Sequence, residues 1–399
     1  MFEYQHGNLP IKVWLTEQEY YGDAELCKQA EAVARHPNAF HHVSLMPDAH
    51  AGYGLMIGGV ASFKDAICPY GVGMDISCGV LAVETNLPAQ HFTRDILEKI
   101  KSRVKQVIPM GFTHHKDRYH IDGVPLKLAI LTLPIPEGVK DIATIGEIIC
   151  SCGSLGGGNH FLEIQEDERG MVWLMLHSGS RNLGATVCKK FHRIATEYCK
   201  ENKVPIPNVE LAVLPIPGPG EVYRDAMNYC MAFAHDNREL MMYRLLKVVA
   251  EFFPGVNCND KVHVNHNYAS LEEHFGEKVW VHRKGATYAG AGSFGAIPGS
   301  MGTASFVVQG KSSADSFNSC SHGGGRRMSR GQAKRTISMD QFEAAMGNIV
   351  YDKNKSLLDE SPGAYKDIQV VMANQTDLVE IRRTLKPLLA VKATGVKEE

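Results

Sequence analysis

Five side chains that carry metal-binding atoms stand in four short motifs of this 399-residue sequence. Asp75 and Cys78 lie three residues apart in GVGMDISCG, and His160 lies just after a triple glycine in GGGNHFLE. His177 begins HSGSR, directly after the apolar run MVWLML, and His266 lies in NHNY. Functional residues are often carried on turns at the ends of apolar strands, so each motif is a candidate site.

Together the five side chains have the chemistry of a two-metal centre. Three imidazoles, one carboxylate and one thiolate suffice for two ions if the thiolate of Cys78 bridges them. Taken singly, each residue has a plainer explanation, because a lone cysteine is more often a small buried hydrophobe. Two metal ions can polarise phosphoryl oxygens and neutralise charge on attacking and leaving groups. The set therefore indicates phosphate chemistry.

A fifth motif, CSHGGGRR, places His322 beside three glycines and two arginines. Glycines let the backbone approach a ligand closely and let N–H groups point at phosphates. A neutral histidine there can attack phosphorus and form a phosphoramidate. The plainer alternative is a glycine turn capped by an imidazole, followed by a solvated helix face. Four guanidiniums are candidate phosphate ligands: Arg181, Arg326, Arg327 and Arg330.

Two nucleotide-binding signatures are present only in part. SFVVQGKS resembles a Walker A loop, but Ser305 stands where the first glycine belongs. GAGSFG fits the spacing of a dinucleotide-binding loop, but Pro298 follows where a helix should begin. Neither motif is expected to bind a nucleotide in the usual way.

The composition predicts a globular cytoplasmic protein. The chain is 44% hydrophobic and 22% charged, and its net charge of −2 argues against general coating of nucleic acid. A local basic groove stays possible. Ten cysteines without a C-x-x-C pair indicate a reducing compartment. The sequence shows no signal-peptide pattern and no apolar run of about 20 residues, so we expect no membrane association.

The elements that must position these motifs alternate irregularly, which favours an α+β fold over a doubly wound sheet. Length alone allows two or three domains, but the motifs spread from residue 48 to residue 392, which favours one compact catalytic domain over 1–399. Helical spacing of apolar residues predicts helices over 91–108, 184–201, 222–253 and 365–389. Apolar runs predict strands over 79–85, 171–176, 278–283 and 304–309.

Nine motifs in a fixed order resemble the RtcB family of RNA-splicing ligases, from about residue 40 to Lys392. They are MPDAHAGYG, GVGMDISCG, GGGNHFLEI, LHSGSRNLG, NHNY, RKGA, IPGSMG, CSHGGGRRMSR and AYKDI. The resemblance implies a single α+β domain with a buried metal site. It also implies an enzyme that joins RNA ends bearing a 3′-phosphate or 2′,3′-cyclic phosphate to 5′-hydroxyl ends, using GTP and Mn²⁺.

The resemblance also assigns roles to residues of this sequence. Asp75, Cys78, His160, His177 and His266 would bind two Mn²⁺ ions, with Cys78 as the bridge. His322 would be the nucleophile that becomes GMP-histidine. The guanylate would contact a larger set: Asn159, His160, Phe161, Leu162, Glu163, His266, Asn267, Pro298, Gly299, Ser300, Met301, Ser305, His322, Gly323, Gly324, Gly325 and Lys392.

Some features leave alternatives open. By softness the ligand set suggests zinc before manganese, so zinc is expected as an inhibitor or contaminant. Asp48 is either an N-cap or turn residue, or it lies near the metals in a supporting or acid–base role. Cys152 and Ser154 stand where many family members have Leu and Thr, and 110–150 carries none of the motifs. A metal-dependent phosphohydrolase, a non-catalytic RNA-binding protein and an enzyme that only caps RNA ends remain alternatives, and the physiological RNA and any activating partner stay open.

Overall fold

The computed structural model of the chain describes residues 1–5 and 7–395. Its strands, numbered in chain order, are β1 (Phe2–Gln5), β2 (Pro10–Val13), β3 (Ala39–His50), β4 (Ile57–Phe63), β5 (Ala66–Ile67), β6 (Gly79–Pro88), β7 (Phe161–Asp167), β8 (Met171–Ser178), β9 (Leu214–Pro215), β10 (Cys258–Asn265), β11 (Asn267–His274), β12 (Glu277–Lys284), β13 (Ala286–Tyr288), β14 (Phe294–Ile297), β15 (Ser305–Gly310), β16 (Ser319–Ser321) and β17 (Val379–Val391).

The helices alternate irregularly with these strands. They are α1 (Glu17–Gly22), α2 (Ala24–Ala34), α3 (Pro69–Val72), α4 (Arg94–Val107), α5 (Glu137–Lys140), α6 (Ile145–Ser151), α7 (Arg181–Glu201), α8 (Pro219–Phe252), α9 (Arg330–Thr336), α10 (Met339–Met346) and α11 (Ile368–Ala373). Short 3₁₀ turns cover Ala89–His91, Arg118–Ile121, Ala129–Leu131, Val209–Leu211, Ala314–Ser316, Lys355–Glu360 and Pro362–Ala364. Within the described ranges, no helix is both long and apolar enough to cross a membrane.

Two large sheets organise the chain. The first has the strand order β1-β2-β3-β4-β12-β11, and the second has the order β10-β6-β8-β7-β17-β15-β14. All neighbours in the second sheet are antiparallel. A cluster of buried apolar side chains joins the sheets, with Val60 and Val281 from the first and Phe306 and Val308 from the second. The sheets therefore share a core.

Helices α4 and α8 cover one face of the second sheet. In α4, Leu97, Ile100 and Val104 lie on one side of the helix and are buried, as their spacing requires. The long helix α8 contributes Met241 and Leu245 to the same cluster. Strands β6 and β8 are buried on both faces, which explains why their sequences are almost continuously apolar.

The order of strands in the second sheet brings the metal-binding motifs to one end. In antiparallel neighbours, the start of one strand lies beside the end of the next. Gly79, the first residue of β6, pairs with Ser178 at the end of β8 and with Asn265 at the end of β10. Phe161, the first residue of β7, pairs with His177. The candidate ligands beside these positions therefore converge: Cys78, His160, His177 and His266.

Most predicted elements are confirmed, and so is the α+β class. The helices expected over 91–108, 184–201 and 222–253 correspond to α4, α7 and α8. The four expected strands correspond to β6, β8, β12 and β15. GAGSFG forms the turn that leads into β14, and SFVVQGKS lies largely on β15. Neither motif is followed directly by an α-helix, so neither forms a nucleotide loop of the usual kind.

The helix predicted over 365–389 is wrong for most of its length. Only Ile368–Ala373 is helical, and Val379–Val391 is strand β17, between β7 and β15. The register of β17 against β7 shifts between Pro387 and Leu389. Pro387, like any proline, has no backbone N–H to donate. It is tolerated at such an irregularity of a strand, whereas inside a helix it would interrupt the backbone hydrogen bonding.

The core beneath the metal-binding end should be sensitive to cavities. Leu176, next to His177 in β8, is fully buried, whereas Leu271 in β11 is 54% exposed. We expect Leu176→Ala to lower the free energy of unfolding by about 2–5 kcal/mol. The same change at Leu271 should cost no more than about 0.5 kcal/mol. Urea unfolding measures both, and equal losses would contradict this description of the core.

Candidate active site

The structure brings all five predicted metal ligands together. Nε2 of His177 lies 2.9 Å from Nε2 of His266 and 3.1 Å from Sγ of Cys78. Nε2 of His160 lies 3.4 Å from the same sulfur and 3.0 Å from Oδ2 of Asp75. Two three-residue groups, Cys78–His177–His266 and Asp75–Cys78–His160, have their ligand atoms within 4.8 Å of one another. Cys78 belongs to both groups.

The hydrogen bonds around this cluster leave a place for a cation. Nδ1 of His177 lies 3.1 Å from the carbonyl oxygen of Asn159, and Nδ1 of His266 lies 3.4 Å from Oδ1 of Asn267. Because these oxygens only accept, each Nδ1 carries the proton and each Nε2 presents a lone pair. Burial holds the pKa of both histidines well below the usual value. Two lone pairs thus face each other across 2.9 Å, an arrangement that a metal ion satisfies.

The ionisation of the two acidic ligands, Cys78 and Asp75, also depends on the charge of a bound cation. Burial, and then the carboxylate of Asp75, raise the pKa of the Cys78 thiol well above its usual value, and a bound cation would reverse that balance. Burial would also raise the pKa of Asp75, but its contact with His160 lowers it overall. At Gly179 a Cβ atom would lie 2.2 Å from the carboxylate oxygens of Asp75. Only glycine allows the HSGSR turn to approach this closely.

Asp48 supports His322 rather than the metal ligands. Its buried carboxylate oxygen Oδ2 lies 2.7 Å from Nδ1 of His322 and accepts the backbone N–H groups of His322 and Gly323 at 3.1 and 3.2 Å. Gly325 has φ +68°, and a Cβ there would lie 2.4 Å from the carbonyl oxygen of Asp48. A side chain at Gly325 would displace Asp48. The Asp48 carboxylate thus lies beside Nδ1 of His322, and Nε2 is the other ring nitrogen.

A first cavity lies on one side of His322. It is lined by most of the residues predicted to hold a guanylate: Asn159, Phe161, Glu163, Pro298, Gly299, Ser300, Met301, His322, Gly323, Gly324, Gly325 and Lys392. His177 from the metal cluster also reaches its wall. The first cavity therefore borders both the metal cluster and the glycine turn.

Five other residues predicted for the guanylate lie outside the first cavity. His160 is part of the metal cluster, while His266 and Asn267 line a second cavity. Leu162 is fully buried among apolar side chains under the sheet. Ser305 is buried too, and its hydroxyl accepts hydrogen bonds from Gln165 at 3.1 Å and from the backbone of Gly299 at 3.3 Å. Ser305 thus holds the cavity wall from behind.

A buried carboxylate that sequence reasoning missed organises the cations of the first cavity. Glu360 lies 2.9 Å from the Lys392 ammonium, 2.7 Å from Arg330 and 3.3 Å from Arg326, and accepts the Tyr365 hydroxyl at 2.7 Å. Burial alone would raise the pKa of Glu360, but the three cations lower it to about 2. The signal available in the sequence was the need of the clustered arginines for a counter-charge.

The pKa of Glu163 is shifted in the opposite direction from that of Glu360. It lies in the wall of the first cavity, where burial raises its pKa to about 8 against the lowering effects of Gln165 and Lys392. Gln165 donates a hydrogen bond to it at 2.6 Å. Glu163 is therefore largely protonated at pH 7, and a ligand with N–H donors would stabilise its carboxylate form.

The second cavity is also lined by His322. It is lined by Asp75, Cys78, His266 and Asn267, and it shares Asn159 and His322 with the first cavity. Lys284 also lines it, and burial lowers the pKa of that ammonium to about 8. Residues of the metal cluster and His322 thus contribute to the walls of both cavities.

The four arginines expected at phosphates divide into two pairs. Arg326 and Arg330 line the first cavity. Arg181 instead donates to the hydroxyl of Ser154 at 3.1 Å and to the carbonyl oxygen of Gly111. Arg327 is outside the cavity and donates to a backbone carbonyl at 2.9 Å. Ser154, one of the two departures from the family pattern, therefore contacts Arg181 and lines neither cavity.

In a further group of possible ligands, His235, Glu239 and His263, the ring of His263 is engaged in hydrogen bonds. Arg238 donates from Nε to Nε2 of His263 at 2.7 Å. The proton of His263 is therefore on Nδ1, which donates to Glu239 at 3.0 Å. His263 therefore has no ring lone pair left for a metal ion.

Comparison with known proteins gives one family. The family model described as "tRNA-splicing ligase RtcB" matches residues 29–129 and 140–393. The chain is 35% identical to the RNA-splicing ligase RtcB of Escherichia coli (strain K12), over 96% of this chain and 98% of that protein. It is 31% identical to the tRNA-splicing ligase RtcB of Thermococcus kodakarensis, over 96% and 95%.

A third relative, the RNA-splicing ligase RtcB of Mycobacterium tuberculosis, is 32% identical over 91% of this chain and the whole of that protein. The matched region begins earlier than the motifs in the sequence suggest, and its only gap lies within the motif-free stretch 110–150. With the ordered motifs and the cluster around Cys78, this identifies the chain as a member of the RtcB family.

Proposed function

We propose that this protein is a GTP- and Mn²⁺-dependent ligase that joins RNA ends bearing a 3′-phosphate or 2′,3′-cyclic phosphate to 5′-hydroxyl ends. The observation that carries the proposal is the position of His322. Its Nδ1 lies 2.7 Å from the Asp48 carboxylate, its ring centroid lies 4.7 Å from that of His266, and it lines both cavities. The names of the relatives, RNA- or tRNA-splicing ligases, support the same activity.

Two metal ions are proposed, one for each group of ligands. Cys78 would bridge them, because its sulfur belongs to both groups. The ions would supply Lewis-acid neutralisation of phosphate charge. Softness alone favours zinc at a thiolate with imidazoles; manganese is proposed because of the family, with zinc as a competitor.

The first cavity is proposed to hold the guanylate. The carboxylate form of Glu163 can accept from the N1–H and amino groups of guanine, a pattern that adenine does not offer. The backbone of the glycine turn and the guanidiniums of Arg326 and Arg330 face the same space and can bind phosphates. Lys392, held by Glu360 at 2.9 Å, completes the wall.

The proposed reaction has three transfers. Nε2 of His322 attacks the α-phosphorus of GTP, the bond to the bridging oxygen breaks, and pyrophosphate leaves. An oxygen of the RNA 3′-phosphate then attacks that phosphorus and the N–P bond breaks, which leaves an RNA-ppG end. Finally the 5′-hydroxyl attacks the 3′-phosphate and GMP leaves. A cyclic phosphate is first opened by water.

The residues of the chain supply positioning and proton control for these steps. Nδ1 of His322 lies 2.7 Å from the Asp48 carboxylate, and the proposed attack uses the lone pair on Nε2 of a neutral ring. The second cavity, with Lys284 in its wall, is the proposed place for the RNA ends. All ten cysteines are free, in keeping with the predicted cytoplasmic location.

The proposed nucleophile can be tested by labelling. Incubation with Mn²⁺ and GTP labelled at the α-phosphate, followed by denaturation, should leave label on the wild-type chain and none on His322→Ala. The control is His91→Ala, an exposed histidine outside both cavities. Label on His322→Ala at the wild-type level would disprove the assignment. Phosphate release without any labelled protein would favour a phosphohydrolase.

The bridging role of Cys78 predicts an asymmetry in metal content. After equilibration with Mn²⁺ and removal of unbound ions, Cys78→Ala should lose both ions, whereas His160→Ala should keep the ion of the other group. Cys258→Ala changes an exposed cysteine and should keep wild-type content. Elemental analysis gives the stoichiometry, and unchanged content in Cys78→Ala would contradict the shared ligand.

The environment of Glu163 predicts proton release on nucleotide binding. With a pKa of about 8, the side chain is mostly protonated at pH 7, and guanine should favour its carboxylate. Calorimetry in buffers of different ionisation enthalpy should detect the released proton. Glu163→Gln should abolish it and weaken GTP about 10- to 100-fold, as expected for loss of a charge-assisted hydrogen bond. Glu168→Gln, exposed after the same strand, is the control; proton release that persists in Glu163→Gln would refute the role.

A further inference from the structure

One fully buried arginine on α8 donates hydrogen bonds to two strands, β8 and β10, and to the turn that precedes β6. Nη1 of Arg238 donates to the carbonyl oxygens of Ser77 at 2.7 Å and Ser178 at 2.9 Å. Nη2 donates to Oδ1 of Asn265 at 2.5 Å, and Nε donates to Nε2 of His263 at 2.7 Å. Four of the five N–H groups of the guanidinium are therefore used.

The acceptors of Arg238 have a common position in the chain. Three of them are direct neighbours of the three ligands of one metal group: Ser77 beside Cys78, Ser178 beside His177, and Asn265 beside His266. The contacts therefore lie just before the start of β6, at the end of β8 and at the end of β10. One planar group fixes the relative positions of all three strand ends.

We propose that Arg238 is a positioning residue for the metal centre: it sets the spacing of Cys78, His177 and His266 through the backbone beside them. The inference rests on the metal centre proposed above. Arg238 touches none of the ligand side chains in its hydrogen bonds, so its effect is transmitted through their chain neighbours.

We expect Arg238 to act on the metal centre through the geometry of its hydrogen bonds and not through its charge. Burial lowers the pKa of Arg238 to about 10, so it stays charged at neutral pH. A positive charge near metal ions opposes their binding. If the charge dominated, removing it would tighten metal binding; if the hydrogen bonds dominate, removing them must weaken it. The fork of a guanidinium also reaches acceptors that a single ammonium cannot reach together.

Two substitutions separate these effects, with Co²⁺ as the probe. Arg238→Lys keeps the charge and loses the fork, and Arg238→Met loses both. We expect both to bind Co²⁺ about 10- to 100-fold more weakly, the usual range for residues that orient metal ligands, with an altered thiolate-to-Co²⁺ absorption band. Wild-type affinity in both variants, or tighter binding by Arg238→Met, would overturn the proposal.

Controls distinguish positioning from folding. Arg244→Met removes another arginine of α8, which donates to the carbonyl oxygen of Gly153 at 3.0 Å and to two histidines. It should lower stability in urea yet keep wild-type Co²⁺ affinity; a comparable loss of affinity would overturn the proposal.

A milder variant covers the case that changes at Arg238 prevent folding. Asn265→Ala removes only the hydrogen bond at 2.5 Å and should weaken Co²⁺ by a smaller factor, while unchanged affinity would overturn the positioning role. Failure of the wild-type protein itself to bind Co²⁺ would instead contradict the proposed metal centre.

Discussion

Two neutral imidazoles, with lone pairs directed at each other across 2.9 Å in a buried space, are the constraint on which this site depends. Such an arrangement is unfavourable unless a positive charge lies between the rings. Several features of the fold maintain it: antiparallel strands that end together, carbonyl and amide oxygens that fix the ring tautomers, and a buried guanidinium behind the strand ends. Folding therefore prepares the binding site and leaves the cation to complete it.

In the first cavity too, the ionisation of a buried group depends on whether neighbouring groups balance its charge. Glu360 is ionised because three cations and a phenol surround it, whereas Glu163, with only one amide donor and a lysine nearby, has a raised pKa. Two carboxylates in one cavity thus have opposite states at neutral pH. Glu360 fixes Lys392 and the arginines in place, and Glu163 is left to respond to a ligand.

The sequence predicted the residues of the site better than the buried residues that hold them in position. The five ligands and His322 stood out because their side chains are reactive and follow apolar runs or glycines, and β6 and β8 were recognisable by composition. Glu360 and Arg238 were missed because their importance comes only from tertiary contacts, with partners up to 161 residues away in the chain. The strand Val379–Val391 was mistaken for a helix because its apolar residues also fit a helical spacing; Pro387 was the contrary signal.

The place of His322 in the walls of both cavities has a kinetic consequence. Under the proposed function, His322 is accessible from both cavities, so the nucleotide and the RNA can bind in different cavities. Pyrophosphate can depart before RNA arrives, which is the requirement for a ping-pong scheme. The first half-reaction would then be complete without RNA. The protein would already carry GMP on His322 when it meets a broken RNA end.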